Sequence, residues 1–435
     1  MNGASAASPG RDAAIALDRA DELLAFRSKF ALPRDAAGVE LTYLCGHSLG
    51  LAPIAARARV LEELEDWERL GVLGHEHGRR AWIGYAERLA PALAVLAGAA
   101  GHEVVAMNSL TVNLHLLLAS FYRPSGTRRR ILVEAGAFPS DRHVVHSQLR
   151  WHGVDPADAL LELAPRAGEE LLRMEDIDAC IAAAGDSLAL VLWPGVQYRT
   201  GQAFEIARIA DCVHRYGGMV GFDLAHAIGN LPLSLHDSGA DFAAWCSYKY
   251  LNGGPGAIGG AYVHERHAHA AQLPRLEGWW GSNPATRFLM GNAFELTPGA
   301  AGWQVSNPPI LSAAPLFASL ELFVDAGLAR LRSKSRSLTA FLQASLQATC
   351  GEGIEIISPV NAEERGAQLS IRVRGGNERA RRVHAALGQR GVVTDWREPD
   401  TIRLAPVPLY NRYADAWRAA TEFAGAIGDA SAAAR

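Results

Sequence analysis

The sequence predicts an α/β protein, with a large domain built on a mainly parallel sheet covered by helices and a smaller C-terminal α+β domain. Three observations predict it. Between about residues 85 and 310, short apolar runs alternate with stretches of helical spacing. The runs are apolar at successive positions, so the strands are buried on both faces, as in a parallel sheet. Around Pro308-Pro309-Ile310 the pattern shifts to strands and helices mixed without regular alternation. The expected divisions are 1–50 as an N-terminal arm and helix, 51–310 as the large domain and 311–435 as the small one.

Residues 1–12 are small and polar, with Pro9 and Gly10, and read as disordered. From Ala13 to Phe30, Ile15, Leu17, Leu23, Leu24 and Phe26 recur at helical spacing between charges. Leu41-Thr42-Tyr43-Leu44 leads into a turn, Gly46-His47-Ser48-Leu49-Gly50. A second amphipathic helix runs from Pro53, well suited to a first helical turn, to Leu70. Buried strands are expected at Val104–Met107, Ile131–Glu134, Leu188–Trp193, Met219–Asp223, Asp241–Trp245 and Ile258–Val263. Helices fit between them at Asn113–Phe121, Asp141–His152, Met174–Ala184 and Ile206–Tyr216. Beyond Pro309, Ala313–Ala329 and Lys334–Leu346 read as helices. Strands at Ile354–Ile357, Gln368–Arg374 and Thr401–Ala405 and a helix at Arg379–Gln389 complete the series. In an open parallel sheet ligands collect at the carboxyl ends of the strands, so residues just past these runs are the candidates for chemistry.

Composition removes several function classes. The chain has 435 residues, 49% hydrophobic and 20% charged, which is enough to bury a substantial core. A net charge of −4 gives no electrostatic basis for a nucleic-acid or anionic-membrane partner. The run Arg128-Arg129-Arg130 precedes an apolar segment and reads as the solvated mouth of a strand. Cys45, Cys180, Cys212, Cys246 and Cys350 are scattered and form no Cys-x-x-Cys pair, so reduced thiols are expected. His75-Glu76-His77 and His264…His267…His269 lack metal-ligand spacing, and no metal is expected. The N-terminus has no apolar signal core and no window has the length of a membrane span, so a soluble cytoplasmic protein is expected.

The densest chemistry lies in Asp223-Leu224-Ala225-His226 and, 26 residues after Asp223, at Lys249 within Cys246-Ser247-Tyr248-Lys249-Tyr250-Leu251-Asn252-Gly253-Gly254. Each follows an apolar run, so two strand ends bring a carboxylate and an amine towards one flat ligand. Pyridoxal phosphate needs that pair: an amine for the Schiff base and an Asp to hold the proton on the pyridine nitrogen. Asp223 alone would read equally well as a helix N-cap, and Lys249 alone as a surface lysine. His226 would orient Asp223 or lie near the cofactor, though a lone histidine is more often structural. Asn108-Ser109-Leu110-Thr111-Val112-Asn113 opens a helix after a strand and suits a phosphate, although Ser and Thr also cap ordinary helices. In Glu134-Ala135-Gly136-Ala137-Phe138-Pro139-Ser140-Asp141 the aromatic ring of Phe138 would stack on a pyridine face or simply fill core. Arg403, before Ala405-Pro406-Val407-Pro408, presents a guanidinium fork suited to an α-carboxylate, or a surface charge.

Together these segments resemble the kynureninases, fold-type I enzymes of the aminotransferase superfamily that use pyridoxal phosphate. The resemblance spans nearly the whole chain. It runs through Leu44–Gly50, Ala106–His115, Ala137–Asp141, Gly221–His226, Trp245–Asn252, Glu277-Gly278-Trp279-Trp280-Gly281, Ser306-Asn307-Pro308-Pro309-Ile310 and Arg403–Asn411. It implies that Lys249 holds the cofactor, Leu110 and Thr111 contact its phosphate, and Phe138 stacks on its ring, with Pro139, Ser140 and Asp141 in the same loop. Asp223 would pair with the pyridine nitrogen near His226, and Tyr248 would reach the phosphate and assist proton transfer at the substrate carbonyl. Trp279 and Asn307 would complete the cofactor site from the partner subunit of a homodimer. His75, Ser306 and Asn307 would line the aryl end of the substrate, and Arg403 would bind its carboxylate. Pro194 departs from the pattern, standing where relatives carry a small hydroxyl residue, which implies one cofactor hydrogen bond lost or replaced.

The activity implied is hydrolysis of the Cβ–Cγ bond of L-kynurenine or 3-hydroxy-L-kynurenine to anthranilate or 3-hydroxyanthranilate and L-alanine. That places the enzyme in tryptophan catabolism or NAD biosynthesis. The rival is another fold-type I lyase such as a cysteine desulfurase, which needs a nucleophilic cysteine on a mobile loop. None of the five cysteines lies in an evident Gly/Ser-rich loop after Lys249.

Overall fold

The computed structural model describes residues 9–270, 272–291 and 293–432. Residues 1–8 of the leader expected to be disordered lie outside them, and Arg11 and Asp12 already belong to a helix, Arg11–Ala20. That helix ends at Asp21 instead of running on to Phe30, and the remaining apolar residues sit on a 3-10 turn, Leu24–Lys29. The chain divides into two compact units, 55–197 with 204–321, and 9–54 with 198–203 and 322–432.

The larger unit is organised by a seven-stranded sheet in the order Val104–Ala106, Gly260–Val263, Phe242–Trp245, Met219–Asp223, Leu188–Pro194, Arg130–Glu134, Leu160–Leu163. The four pairings from Phe242–Trp245 to Leu160–Leu163 are parallel, and Gly260–Val263 runs antiparallel to both its neighbours. A mainly parallel sheet is therefore present as expected. Leu160–Leu163 is an additional edge strand, half-exposed along its length and so without the apolar run of a central strand. Helices Leu110–Phe121, Pro139–Trp151, Met174–Ala184 and Ile206–Arg215 are the connections that let successive strands run parallel. Leu114, Leu117, Phe121, Val133, Val144, Leu190 and Phe242 are members of one buried cluster, so helix and strand faces share a single core.

In the smaller unit, strands Asp395–Arg397, Thr401–Leu404, Leu369–Val373 and Ile354–Ile356 form an antiparallel sheet. Helices Leu328–Cys350, Asn377–Gln389 and Tyr413–Ala432 cover it through Leu338, Leu342, Val383, Leu387 and Phe423. The helix expected at Ala313–Ala329 spans Ile310–Ala326, because Gly327 takes a φ of 75° and breaks it from Leu328–Cys350. Thr42–Tyr43 pairs in parallel with Val392–Val393, which fastens the N-terminal segment to the C-terminal sequence. Among the described residues no single helix is long and apolar enough to cross a membrane.

Candidate active site

The larger unit gathers most of the candidate residues at the carboxyl ends of its parallel strands. Asp223 is the last residue of its strand, beside Pro194 of the neighbouring strand, and Lys249 comes four residues after Trp245. The turn that carries Lys249 is tightly tied. The N–H of Asn252 donates to the Lys249 carbonyl at 2.9 Å, and the N–H of Gly253 to the Ser247 carbonyl at 2.8 Å. Asn252 adopts a φ of 51°, and its side chain donates to the Tyr250 carbonyl, a local bond that Asn makes readily in the left-handed region. Lys249 is buried, with Nζ 3.0 Å from Nε2 of His226 and 5.7 Å from the centre of the Phe138 ring. The half-buried Tyr248 ring lies 5.9 Å from the same amine.

Three carboxyl groups are buried in this region. Asp223 is 7% exposed, Asp141 6% and Glu134 3%. Asp223 accepts the Ala225 N–H at 2.7 Å and shares a side-chain hydrogen bond with Asp141. Burial is the main cause that raises Asp223 above the usual carboxylate range, opposed by the charge of Lys249 and the Ala225 N–H. Asp141 is raised well above it by burial and by the neighbouring Asp223. Two hydrogen-bonded carboxyls must share a proton, so the two directions are one fact about the pair. Oδ1 of Asp141 is buried and has no hydrogen-bond partner among the described residues.

Leu110 and Thr111 open the helix Leu110–Phe121, whose N-cap Ser109 makes no side-chain cap bond. Its first N–H groups are therefore available to an anion. The Thr111 hydroxyl meets that of Ser140 at 2.6 Å, bringing two hydroxyls from different helices together. Gly259 packs under this helix end; a Cβ there would come within 3.3 Å of the Leu110 nitrogen and 2.9 Å of the Trp245 carbonyl. Pro139 is at the first position of the helix that carries Ser140 and Asp141, where its missing N–H costs nothing.

The remaining candidates are not part of this cluster. His75, Ser306 and Asn307 have exposed side chains, and His75 packs edge-on against Trp82. Trp279 is 52% exposed, its indole N–H donating to the Arg287 carbonyl and its ring against Phe288. Arg403 belongs to the smaller unit, fully buried, ion-paired to Asp395 at 2.9 Å and donating to the Tyr198 carbonyl.

Sequence reading gave no role to Glu134 or Gln197, whose side chains meet at 3.3 Å. The signal was a carboxylate ending a buried strand. It also missed two groupings that only the fold creates, Glu103 with His236 and His264, and Cys45 with His47 and Asp395. In the first, Glu103 already accepts the N–H groups of Ala100 and Glu265 and hydrogen-bonds with His236, which suits a turn staple.

Residues 331–423 match the model of the kynureninase C-terminal domain. A kynureninase of Xanthomonas campestris pv. campestris (strain B100) is 55% identical over 93% of this chain and 95% of its own length. One from Stenotrophomonas maltophilia (strain K279a) is 53% identical over the same shares. Among solved structures, a cystine C-S lyase complexed with cysteine persulfide superposes with a TM-score of 0.73 at 19% identity, covering 90% of this chain and 97% of its own. The cysteine desulfurase CsdA of Escherichia coli gives 0.72 at 18%, covering 95% and 99%. Those two likenesses show the fold, that of the fold-type I pyridoxal-phosphate enzymes, and the identity to the curated relatives shows more: the chain belongs to the kynureninase family.

Proposed function

We propose that this protein is a pyridoxal-phosphate-dependent hydrolase that cleaves the Cβ–Cγ bond of L-kynurenine or its 3-hydroxy analogue, releasing anthranilate or 3-hydroxyanthranilate and L-alanine. One observation carries the reading: the buried Lys249 amine, 3.0 Å from His226, in the same cluster as the Asp223–Asp141 pair. Family membership supplies the reaction. The cytoplasm, and a role in tryptophan catabolism or NAD biosynthesis, follow from the same reading.

The residues fit the cofactor on two counts. The uncapped start of Leu110–Phe121, with the Thr111 and Ser140 hydroxyls, suits its phosphate. The unpartnered Oδ1 of Asp141 and the Asp223 carboxyl suit a protonated pyridine nitrogen, which brings both a donor and a positive charge. When bound, pyridoxal phosphate supplies an electron sink for the charge that develops on the substrate carbons.

The protein's own groups do the rest. Lys249 is the base that takes the substrate Cα proton, and His226 holds its amine in place. Asp223 keeps negative charge at the pyridine nitrogen. The Tyr248 phenol acts as general acid and base at the γ-carbonyl, where water adds and the Cβ–Cγ bond breaks. Phe138 offers a ring face, and Leu110, Pro139 and Ser140 shape the phosphate end. Arg403 takes the α-carboxylate through its planar fork, which Asp395 orients. His75, Ser306 and Asn307 receive the aryl group, with Trp279 and Asn307 contributed across a homodimer interface. Exposed Leu276, Trp279, Phe288, Leu289 and Met290 support such an interface, since lone monomers rarely show so apolar a stretch to water.

Incubating the cofactor-loaded protein with L-kynurenine and recording anthranilate fluorescence tests the activity, and absence of turnover with both substrates would defeat it. A desulfurase reading has the fold in its favour but not the thiols. Burial lifts Cys180, Cys246 and Cys350 and pushes Cys45 up to about 12, which withholds the thiolate at neutral pH. Persulfide formed from cysteine would favour that reading instead.

A further inference from the structure

Glu134 has no part in the chemistry above, yet it is the most deeply buried carboxyl of the three. It ends the Arg130–Glu134 strand, and its Oε1 accepts from Nε2 of Gln197 at 3.3 Å. Asp223 and Asp141 are its charged neighbours: Asp223 acts on Glu134, and Glu134 on Asp141. Among the described residues, Lys249 is the cation that acts on Asp141 and Asp223, whereas Glu134 is set by burial, the Gln197 amide and the charge of Asp223.

Charge balance then decides its state. A buried carboxylate persists only with a cation or several donors. Asp141 and Asp223 share Lys249 and, with cofactor bound, a pyridinium nitrogen. Asp141 and Asp223 hold one proton between them through their mutual hydrogen bond. Glu134, whose one side-chain donor among the described residues is a neutral amide, is left to hold another.

We propose that Glu134 is a positioning residue: a neutral carboxylic acid behind the Asp141–Asp223 pair, whose proton keeps that pair, and through it the pyridine nitrogen of bound pyridoxal phosphate, in one charge state at neutral pH. This rests on the cofactor reading above. Burial pushes Glu134 up to about 8, the Gln197 amide pulls it down, and the charge of Asp223 raises it further. A pyridinium cation nearby lowers the step from there. Once Glu134 ionises, the added negative charge raises the proton affinity of the ring system, which alters its visible absorbance.

The holoprotein, as wild type, Glu134→Gln and Gln197→Leu, is titrated from neutral to alkaline pH while the cofactor absorbance is recorded. Infrared difference spectra follow protonated carboxyl groups in parallel. The wild type should show a spectral step at or below about pH 8, with loss of a protonated-carboxyl band. Glu134→Gln should lack both, since an amide fills the same space and cannot ionise. Gln197→Leu, which removes the donor that favours the ionised form, should move the step to higher pH. A step retained in Glu134→Gln overturns the proposal. If that variant does not fold, an unmoved step in Gln197→Leu overturns it equally. A wild type that binds no cofactor defeats the underlying reading as well, whereas one that binds it without these changes defeats the present proposal alone.

Discussion

Two buried acidic sites in the larger unit, built around neighbouring strands, have opposite electrostatics. Asp241 immediately precedes the strand Phe242–Trp245 and is saturated with donors. It accepts from the Val220 N–H at 2.8 Å, from His214 at 3.0 Å, from His267 at 2.8 Å and from both Nε and Nη2 of Arg266. Burial raises it, but the hydrogen bonds of the two histidines and the Arg266 charge outweigh burial and hold it well below the usual carboxylate range. The Asp223–Asp141–Glu134 group is as deeply buried and has far fewer donors, and all three are raised, burial being the largest cause for each. A carboxylate made for stability brings its own cations. One that the proposed mechanism assigns to a cofactor is left short of positive charge, which the bound cofactor would supply.

The comparison breaks most sharply at the lysine. Lys249→Ala should cut kcat by about 10³-fold or more, because in the proposed mechanism the same amine would anchor the cofactor and move the Cα proton. Its melting temperature should change little, which differential scanning calorimetry of the cofactor-free protein would check. Asp223→Asn should lower kcat by about 10²–10³-fold if Asp223 has its proposed place at the ring nitrogen, as a neutral amide cannot hold charge there. Steady-state fluorescence of released anthranilate measures both. At the other site the damage goes to folding: Asp241→Asn should cost about 2–3 kcal/mol, since it strands His267 and Arg266 without their partner, and the half-exposed Arg266 recovers some hydration. Urea denaturation reads that loss, and kcat per folded molecule should be unchanged.

The pH dependence separates the sites as well. Asp241 has a depressed folded value, so its stabilisation is present above the unfolded value of about 3.9 and is lost as pH falls below it. Glu134 has a raised folded value, so the folded state holds the extra proton, and stability is lost as pH rises from about 4.3 through about 8. Cofactor-free Glu134→Gln should therefore lose less stability than wild type on going to alkaline pH, while Asp241→Asn should lose less on going to acid. Denaturant midpoints measured across pH would show the two slopes, and identical slopes in a variant and wild type would remove that residue from the account.

What was legible in the sequence follows the same division between local and distant causes. The strands Met219–Asp223, Leu188–Pro194 and Phe242–Trp245 could be read because strands buried on both faces leave continuous apolar runs. Lys249 and Asp223 were legible because each sits just past such a run. Leu160–Leu163 was not, since an edge strand with Glu162 facing solvent has no run to read. The helix Tyr413–Ala432 was overlooked because alanines, small and weakly patterned, form most of its buried face. Glu134 was visible as a residue but not as one of a group of acids, for its hydrogen-bond partner Gln197 and the charged groups Asp141 and Asp223 come from three other segments. Asp241 was hidden likewise, its partners coming from residues 214, 220, 266 and 267.

The smallest expected effect tests how evenly the Asp241 site shares its load. His214 is the most replaceable of the imidazole donors there, its side chain a third exposed against 11% for His267. Water can take its place on Asp241, whereas nothing replaces His267 without opening the core near the Phe121 ring, 5.0 Å away. His214→Gln should therefore cost about 1 kcal/mol or less, and His267→Gln about twice as much. Both are read as shifts in urea midpoint at unchanged slope. Equal costs would mean that the donors act through the charge of Asp241 alone, and that packing against Phe121 adds nothing.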